Sequence, residues 1–309
     1  MPDFPLKNAP PMIRIQALSH RYAAAATPAL TDISLNIGRG ECWGLLGANG
    51  AGKTTLMSIL CGLQEVQSGQ VLFEGVPMQA LSRRQRQQIG LVPQDFAFYP
   101  QLSVWDNMLF FAALYRQRDR AHLRRLLDEA GLAEHTRKAA RHLSGGLKRR
   151  LNFAIGLINR PQLVFLDEIT VGIDPQSRQF ILDSVARLNA AGVTVVYTSH
   201  YLQEIELLCR HIALLAQGRL VYQGELAQLL QQPCAHVRFQ TEPMLSAAEL
   251  AACGAQPLPN GMAQVAATGD EAAALYVQLG QGGRQIRYFQ QGHGSLESFY
   301  LDFLQRQTP

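Results

Sequence analysis

The sequence predicts an α/β protein. A parallel-sheet core has antiparallel strands ahead of it, a helical segment inserted within it, and a small α/β domain after it. Three observations predict this. A glycine-rich loop, Gly47-Ala48-Asn49-Gly50-Ala51-Gly52-Lys53-Thr54-Thr55, follows a strand-like apolar stretch (41–46) and opens a helix-spaced one (56–61). Short continuous apolar runs at 163–166, 193–197 and 212–215 have the length of strands buried on both faces, with helical stretches between them. Residues 95–160 read as mostly helical, with Leu and Ala at helical spacing around 104–115, 122–130 and 147–158.

Taken in order, residues 1–11 read as a loose arm with no apolar run, so not a signal peptide. Ile13, Ile15 and Ala17 alternate with polar residues, and a second alternating run spans 30–37 before the turn Gly38-Arg39-Gly40. These are two antiparallel-type strands. Residues 70–75 read as a strand and turn, and 89–94 as a strand stopped by Pro93. Residues 12–233 thus form one domain, with 95–160 as its helical part. Beyond Gln231-Gln232-Pro233, residues 234–309 read as a second domain: strand (236–240), helix (246–253), strand (262–267), helix (271–279), strand (285–289) and helix (296–304). The last helix places Leu296, Phe299, Tyr300, Phe303 and Leu304 on one face.

Composition limits the function classes. A chain of 309 residues with 47% hydrophobic and 17% charged residues is globular and long enough for two domains. The net charge of +4 is mild and makes no strong case for nucleic acid or a membrane surface. Residues 1–234 carry +6 and residues 235–309 carry −2, so the basic excess lies with the glycine loop, where a polyanion would bind. Cys42, Cys61, Cys209, Cys234 and Cys253 are odd in number and form no C-x-x-C, which favours free thiols over disulfides or zinc. No stretch approaches the ~20 apolar residues of a membrane span.

The loop fits G-x-x-x-x-G-K-[ST] at every fixed position, in the strand–loop–helix context that the pattern needs. Gly47, Gly50 and Gly52 let the backbone wrap around phosphate oxygens, and the N–H groups of Asn49, Ala51 and their neighbours then form an anion nest. The helix N-terminus adds positive potential. Lys53 reaches the β- and γ-phosphates, the Thr54 hydroxyl binds Mg²⁺, and Thr55 completes the cradle. The ligand class is a nucleoside triphosphate. Asp167 and Glu168 end the most buried strand, where ligands sit in open α/β sheets. Asp167 is the candidate to hold Mg²⁺ opposite Thr54, and Glu168 to polarise an attacking water. The alternative is that two acids merely begin a helix. Leu143-Ser144-Gly145-Gly146 precedes a helix carrying Lys148, Arg149 and Arg150; alone, it reads as an N-cap and a turn.

Phosphate loop, Leu-Ser-Gly-Gly and Asp-Glu, in that order, resemble the ATP-binding cassette ATPases. The resemblance covers residues 12–230 and implies the cassette fold of the phosphate-loop NTPases. It implies that Ser144, Gly145 and Gly146 contact the γ-phosphate of an ATP held by a second subunit. Tyr22 matches the aromatic that stacks on adenine, against a core aromatic at a strand end. Gln94 matches the glutamine that touches Mg²⁺ and relays nucleotide state to the helical segment, against a plain strand cap. Asp174, in Gly172-Ile173-Asp174-Pro175, matches the loop crossing the dimer interface, against a helix cap. His200 matches the histidine that bonds the γ-phosphate, against a structural histidine. Two positions depart from the family pattern: Leu147 stands where glutamine is usual, and Ile169 where proline is usual.

Residues 93–100, 145–150 and 198–204, with the closing Ser295-Leu296-Glu297-Ser298-Phe299 helix, look like the branch serving drug, lipid, polysaccharide and cell-surface exporters. Phe96, Phe98 and Tyr99 either line a groove for a membrane partner or are core aromatics. The resemblance implies an ATPase that uses ATP and Mg²⁺ and pairs with a second copy when ATP binds. It also implies a separate transmembrane permease and a place on the cytoplasmic face of the membrane. A soluble cassette acting on ribosomes or DNA is the alternative. Against it stand a single cassette, no zinc motif, and an Arg116–Arg125 stretch that reads as a solvated helix face. A small-molecule kinase would have no use for Ser144-Gly145-Gly146.

Overall fold

Alternation at the start of the chain becomes antiparallel sheet, with one slip. In a computed structural model that describes residues 10–230, 236–267, 269–280, 283–291, 295–297, 299, 300 and 303, β1 (Ile13–His20) pairs with β2 (Leu30–Ile37) from Ile13↔Ile37 to His20↔Leu30. Ile13, Ile15, Ile33, Leu35 and Ile37 point inward as the alternation predicts. Ala17 does not. It takes a left-handed φ of 49° at a register shift, so it is exposed and Leu18 fills the core instead.

The chain then builds β3 (Cys42–Gly47), α1 (Lys53–Leu60), β4 (Ser68–Phe73), β5 (Val76–Pro77), α2 (Arg83–Arg86) and β6 (Ile89–Val92). β4 pairs antiparallel with β1, so the first sheet runs β2-β1-β4-β5. The helical part follows: α3 (Val104–Leu114), α4 (Arg120–Glu129) and α5 (Gly145–Gly156). It has its own apolar core of Val104, Met108, Leu123, Leu127, Leu151 and Ile158. After it come β7 (Leu163–Asp167), α6 (Pro175–Ala190), β8 (Thr194–Thr198), α7 (Leu202–Leu208), β9 (His211–Ala216), β10 (Arg219–Glu225) and α8 (Leu226–Leu230).

The second sheet has the order β10-β9-β3-β8-β7-β6, with parallel pairing between β6 and β7, β7 and β8, β8 and β3, and β3 and β9. Leu163 to Leu166 are wholly buried, as a central strand covered on both faces requires. β10 follows β9 through Gln217 and Gly218, both at positive φ, a connection short enough only for an antiparallel neighbour. Parallel pairing brings the carboxyl ends of β3, β6, β7 and β8 to one edge, in the register Val92↔Leu166, Leu166↔Tyr197 and Asp167↔Thr198. The glycine loop, Gln94, the two acids and His200 all leave the sheet there.

The chain divides into two compact units between Gly224 and Glu225. The expected boundary at residues 231–233 lies outside the described residues, and α8 groups with the second unit. That unit continues with β11 (His236–Glu242), α9 (Ala247–Ala252), β12 (Gln256–Pro257), β13 (Ala263–Ala266), α10 (Gly269–Gly280) and β14 (Gln285–Gln291). Its sheet runs β12-β13-β11-β14 with antiparallel pairing. Strand, helix, two strands, helix, strand in that order is the split βαβ arrangement. β12 is too short to leave a periodic signal. Residues 296, 297, 299, 300 and 303 are helical, Leu296 is buried, and the Phe299 and Phe303 rings stack at 6.3 Å. Leu304 and residues 1–9 of the expected arm lie outside the described residues.

Candidate functional site

The glycine loop leaves β3 at a position where only glycine fits. Gly47 has φ 154°, and a Cβ there would lie 2.6 Å from the Leu215 carbonyl oxygen. Gly52 caps α1 at φ 104°, and a Cβ there would lie 2.6 Å from the Ala29 carbonyl oxygen. The first turn of α1 holds no acid, so its positive end stays free for an anion. Lys53 Nζ donates to the Gly47 carbonyl at 2.7 Å and the Ala48 carbonyl at 3.2 Å. Burial lowers its pKa, while the charges of Glu168 and Asp167 pull it back up. Thr54 is exposed. Thr55 is buried, and its hydroxyl lies 3.1 Å from the Tyr22 hydroxyl. Tyr22 is 42% exposed, leaving ring surface free for a flat ligand.

The acids meet the loop from β7. Thr198 Oγ1 donates to Asp167 Oδ1 at 2.6 Å. The Glu168 N–H donates to Thr198 Oγ1 at 3.1 Å. Glu168 adopts a left-handed φ of 48°, the kind of local strain that structures retain at functional positions. Its Oε1 lies 2.7 Å from His200 Nε2, the carboxylate nearly buried and the imidazole half exposed. Ile169, where the family pattern has proline, is wholly buried, so the turn is held by packing.

Gln94 follows β6 in a loop fastened from α5. Arg149 Nη1 donates to the Gln94 carbonyl at 2.6 Å, Asn152 Nδ2 donates to the Pro93 carbonyl at 3.0 Å, and Asn152 Oδ1 accepts from the Ala97 N–H at 2.9 Å. Arg149 is 4% exposed. It is a buried strut within what the sequence presents as a basic run. A cavity of about 530 Å³ gathers Tyr22, Asn49, Gly50, Gly52, Lys53, Thr54, Thr55, Gln94, Glu168 and His200 around one space. Asp167 is not part of that lining; it is the residue before Glu168 at the end of β7.

Ser144, Gly145, Gly146 and Asp174 are not part of that lining. They form a second cluster. Ser144 caps α5, with its Oγ accepting from the Leu147 N–H at 3.3 Å, and Asp174 caps α6, with Oδ1 accepting from the Ser177 N–H at 2.8 Å. That bond to the Ser177 N–H holds the Asp174 carboxyl below its ordinary pKa. Gly146 is buried so tightly that a Cβ would lie 1.9 Å from Ser177 Oγ. Ser144, Gly145 and Asp174 are exposed. One chain therefore displays two separate surfaces: a cavity with the glycine loop, and an outward-facing pair of helix caps.

Residues 30–171 match the sequence profile of the ABC transporter family. Over 218 residues the chain is 38% identical to the linearmycin resistance ATP-binding protein LnrL of Bacillus subtilis (strain 168), spanning 70% of each chain. The chain belongs to the ABC transporter family. It is 35% identical over 230 residues to the Nod factor export ATP-binding protein I of Rhizobium meliloti (strain 1021), spanning 74% of this chain and 69% of that one. Among solved structures, the ATP binding subunit of an ABC transporter superposes with a TM-score of 0.65 at 26% identity, covering 72% of this chain and 92% of that one. The cbiO1 protein of Clostridium perfringens, described as part of the ABC transporter complex cbiONQ, superposes with a TM-score of 0.64 at 27% identity, covering 72% and 92%. The protein is thus a transporter's ATP-binding subunit and an ATPase. The α/β cassette expected from the sequence is the fold it adopts.

Other expectations resolve residue by residue. Phe98 is a core aromatic, whereas Phe96 and Tyr99 are exposed. Leu147 packs partly buried on the helical core. Cys42, Cys61, Cys209 and Cys253 are free thiols, and Cys234 lies outside the described residues. Among the described residues no helix is long and apolar enough to cross a membrane. Sequence reasoning missed Thr198, Arg149, Asn152 and Glu204. The first three act through contacts between segments far apart in the chain, and no local pattern marks them. Glu204 likewise joins distant segments, accepting from Thr170, 34 residues before it.

Proposed function

We propose that the cassette drives an exporter, hydrolysing Mg-ATP at sites that two copies share and acting on a separate membrane permease. The observation that carries the site assignment is the Glu168–His200 contact at 2.7 Å, set at the rim of the cavity that Lys53 and the glycine loop line. In this reading Tyr22 stacks on adenine. The loop N–H groups and Lys53 hold the phosphates, and His200 donates to the γ-phosphate. A water attacks the γ-phosphorus, the bond to the bridging oxygen breaks with its electron pair leaving on ADP, and Glu168 accepts the water proton. Thr54, Gln94 and Asp167 offer only hard oxygen ligands, which suits a Mg²⁺ also bound by phosphate oxygens. Among the described residues no cluster of three or more His, Cys, Asp or Glu could cage a metal without the nucleotide. When bound, the ion supplies charge neutralisation at the phosphates.

The outward-facing Ser144, Gly145 and Asp174 support a second copy. In a two-fold pair they would face the partner's cavity, and each ATP would take Lys53 from one chain and Ser144 from the other. Exposed Phe96, Tyr99 and Phe110 on the helical part support a membrane partner there. Export takes its support from the Nod factor relative's name, and a position on the cytoplasmic face of the membrane belongs to the same reading. Residues 225–309 hold none of the ATP residues and serve regulation or partner binding. The test is phosphate release by the full chain alone and co-produced with a candidate membrane permease. Mg-ATP turnover that rises with the permease and stops on chelation is expected. No ATP binding and no turnover under either condition would overturn the reading.

A further inference from the structure

One buried carboxylate collects four donors. Glu204, in the first turn of α7, is 1% exposed. Its Oε1 accepts from Arg178 Nε at 2.6 Å. Its Oε2 accepts from Thr170 Oγ1 at 2.8 Å, the Tyr197 hydroxyl at 2.7 Å and Ser199 Oγ at 2.6 Å. A carboxylate this deep is tolerated only with full hydrogen bonding, and these are charge-assisted bonds of the strong kind. A carboxylate needed only for packing would be a poor choice, since apolar replacements for buried ion pairs are often no less stable.

The location of each donor is what gives the carboxylate meaning. Thr170 is two residues after Glu168. Ser199 immediately precedes His200, and its Oγ also accepts from the Tyr201 N–H at 3.0 Å, so it braces His200 from both sides. Arg178 lies at the start of α6, its own N–H donating to the Asp174 carbonyl at 2.9 Å. Its guanidinium sits 4.1 Å from the centre of the Tyr201 ring, behind the same histidine. Tyr197 is wholly buried on β8 and anchors the cluster to the sheet. Three segments, carrying Glu168, His200 and Asp174, therefore converge on one anion that does not line the nucleotide cavity.

We propose that Glu204 is a positioning residue for ATP hydrolysis, fixing the register among the Glu168 segment, the His200 segment and the outward-facing Asp174 turn. Through it, engagement of Asp174 by a second copy bears on the alignment of the base. The proposal rests on the roles assigned above to Glu168 and His200. It predicts a loss in the chemical step with nucleotide binding spared, because none of the cluster residues lines the cavity that Lys53, Thr55 and Tyr22 line.

The test uses the full chain with Mg-ATP. Glu204→Gln keeps the shape but brings amide N–H donors into a ring of donors. Phosphate release at saturating ATP should fall about 10- to 100-fold, with the Kd for ATP changed by less than about 3-fold. Hydrogen exchange should rise together in 168–174 and 198–204, and stay unchanged in 53–60. Ser199→Ala, which removes a single donor, guards against misfolding of the first variant. It should show the same pattern at about 3- to 10-fold. A folded Ser199→Ala chain with wild-type turnover, exchange changes confined to α7, or equal losses in Kd and turnover would each overturn the proposal. Absence of turnover in the wild-type chain would count against the proposed function instead. The exchange pattern, which needs no turnover, would still judge Glu204.

Discussion

Replacing Glu168 by Gln separates the base from everything else the site does. Gln has the same length, and its amide oxygen can accept from His200 Nε2 where the carboxylate now does, at 2.7 Å. The backbone at φ 48° stays pinned by the Thr198 hydroxyl. Lys53, the glycine loop and Tyr22 are untouched, so ATP affinity should hold within about 3-fold. The loss is confined to proton acceptance from water. A positioned general base contributes about 10²- to 10⁴-fold in rate. At about 1.4 kcal/mol per decade this is roughly 3–5 kcal/mol of barrier. Steady-state phosphate release should fall by that factor. Size-exclusion chromatography should show the variant collecting as an ATP-bound dimer, with wild type in ATP eluting mainly as monomer. Turnover within 3-fold of wild type would refute the assignment. So would an equal fall in affinity and turnover, which would mean that Glu168 holds nucleotide and not water.

Three further outcomes follow from particular contacts. Gly146→Ala drives a methyl into Ser177 Oγ, 1.9 Å from the ideal Cβ position, and should destabilise the cassette by about 1–3 kcal/mol; an unchanged thermal midpoint would contradict this packing. His122 is buried, with Nε2 3.1 Å from the Ile158 carbonyl, and burial followed by the Arg160 charge lowers its pKa. A histidine with a lowered folded pKa contributes stability above the unfolded value of about 6.5 and loses it as pH falls below. Wild type should therefore lose more midpoint temperature between pH 7.5 and 5.5 than His122→Gln, and parallel pH curves would refute the point. A chain ending at Leu230 keeps every ATP residue and the whole six-stranded sheet, so it should bind Mg-ATP with near wild-type affinity in equilibrium titration. A folded truncate that does not bind would relocate the second unit's role.

What could be read beforehand was what periodicity and fixed spacing encode. The glycine loop carries its conformation in its own residues, because Gly47 and Gly52 sit where a Cβ would strike backbone oxygen. The runs before Asp167 and Ser199 announced buried strands because such strands need apolar residues on both faces. Partner choice was not legible. Residues 70–75 read as a strand, but nothing local says that it pairs with β1 and not with the parallel core. The bulge that turns Ala17 out and Leu18 in is a matter of register against two neighbours. Arg149 reads in the sequence as one of three cations on the helix after Ser144, yet it is buried and holds the Gln94 carbonyl, 55 residues away in sequence. Glu204 accepts from Thr170 and Arg178, 34 and 26 residues away in sequence. Side chains that join distant segments have no signature in a window of neighbouring residues.

The central claim is that one ATP site takes Lys53 from one chain and Ser144 from another. It is tested by mixing two inactive chains. Lys53→Ala and Ser144→Arg each break both sites of their own homodimer, and each should be nearly devoid of phosphate release. A mixed dimer concentrates both lesions in one site and leaves the other intact. At equal amounts, with random exchange and independent sites, turnover should recover to about a quarter of wild type. Mixtures that stay inactive at every ratio, with mixed dimers verified by differential tags and a wild-type pair active in the same assay, would contradict the shared site.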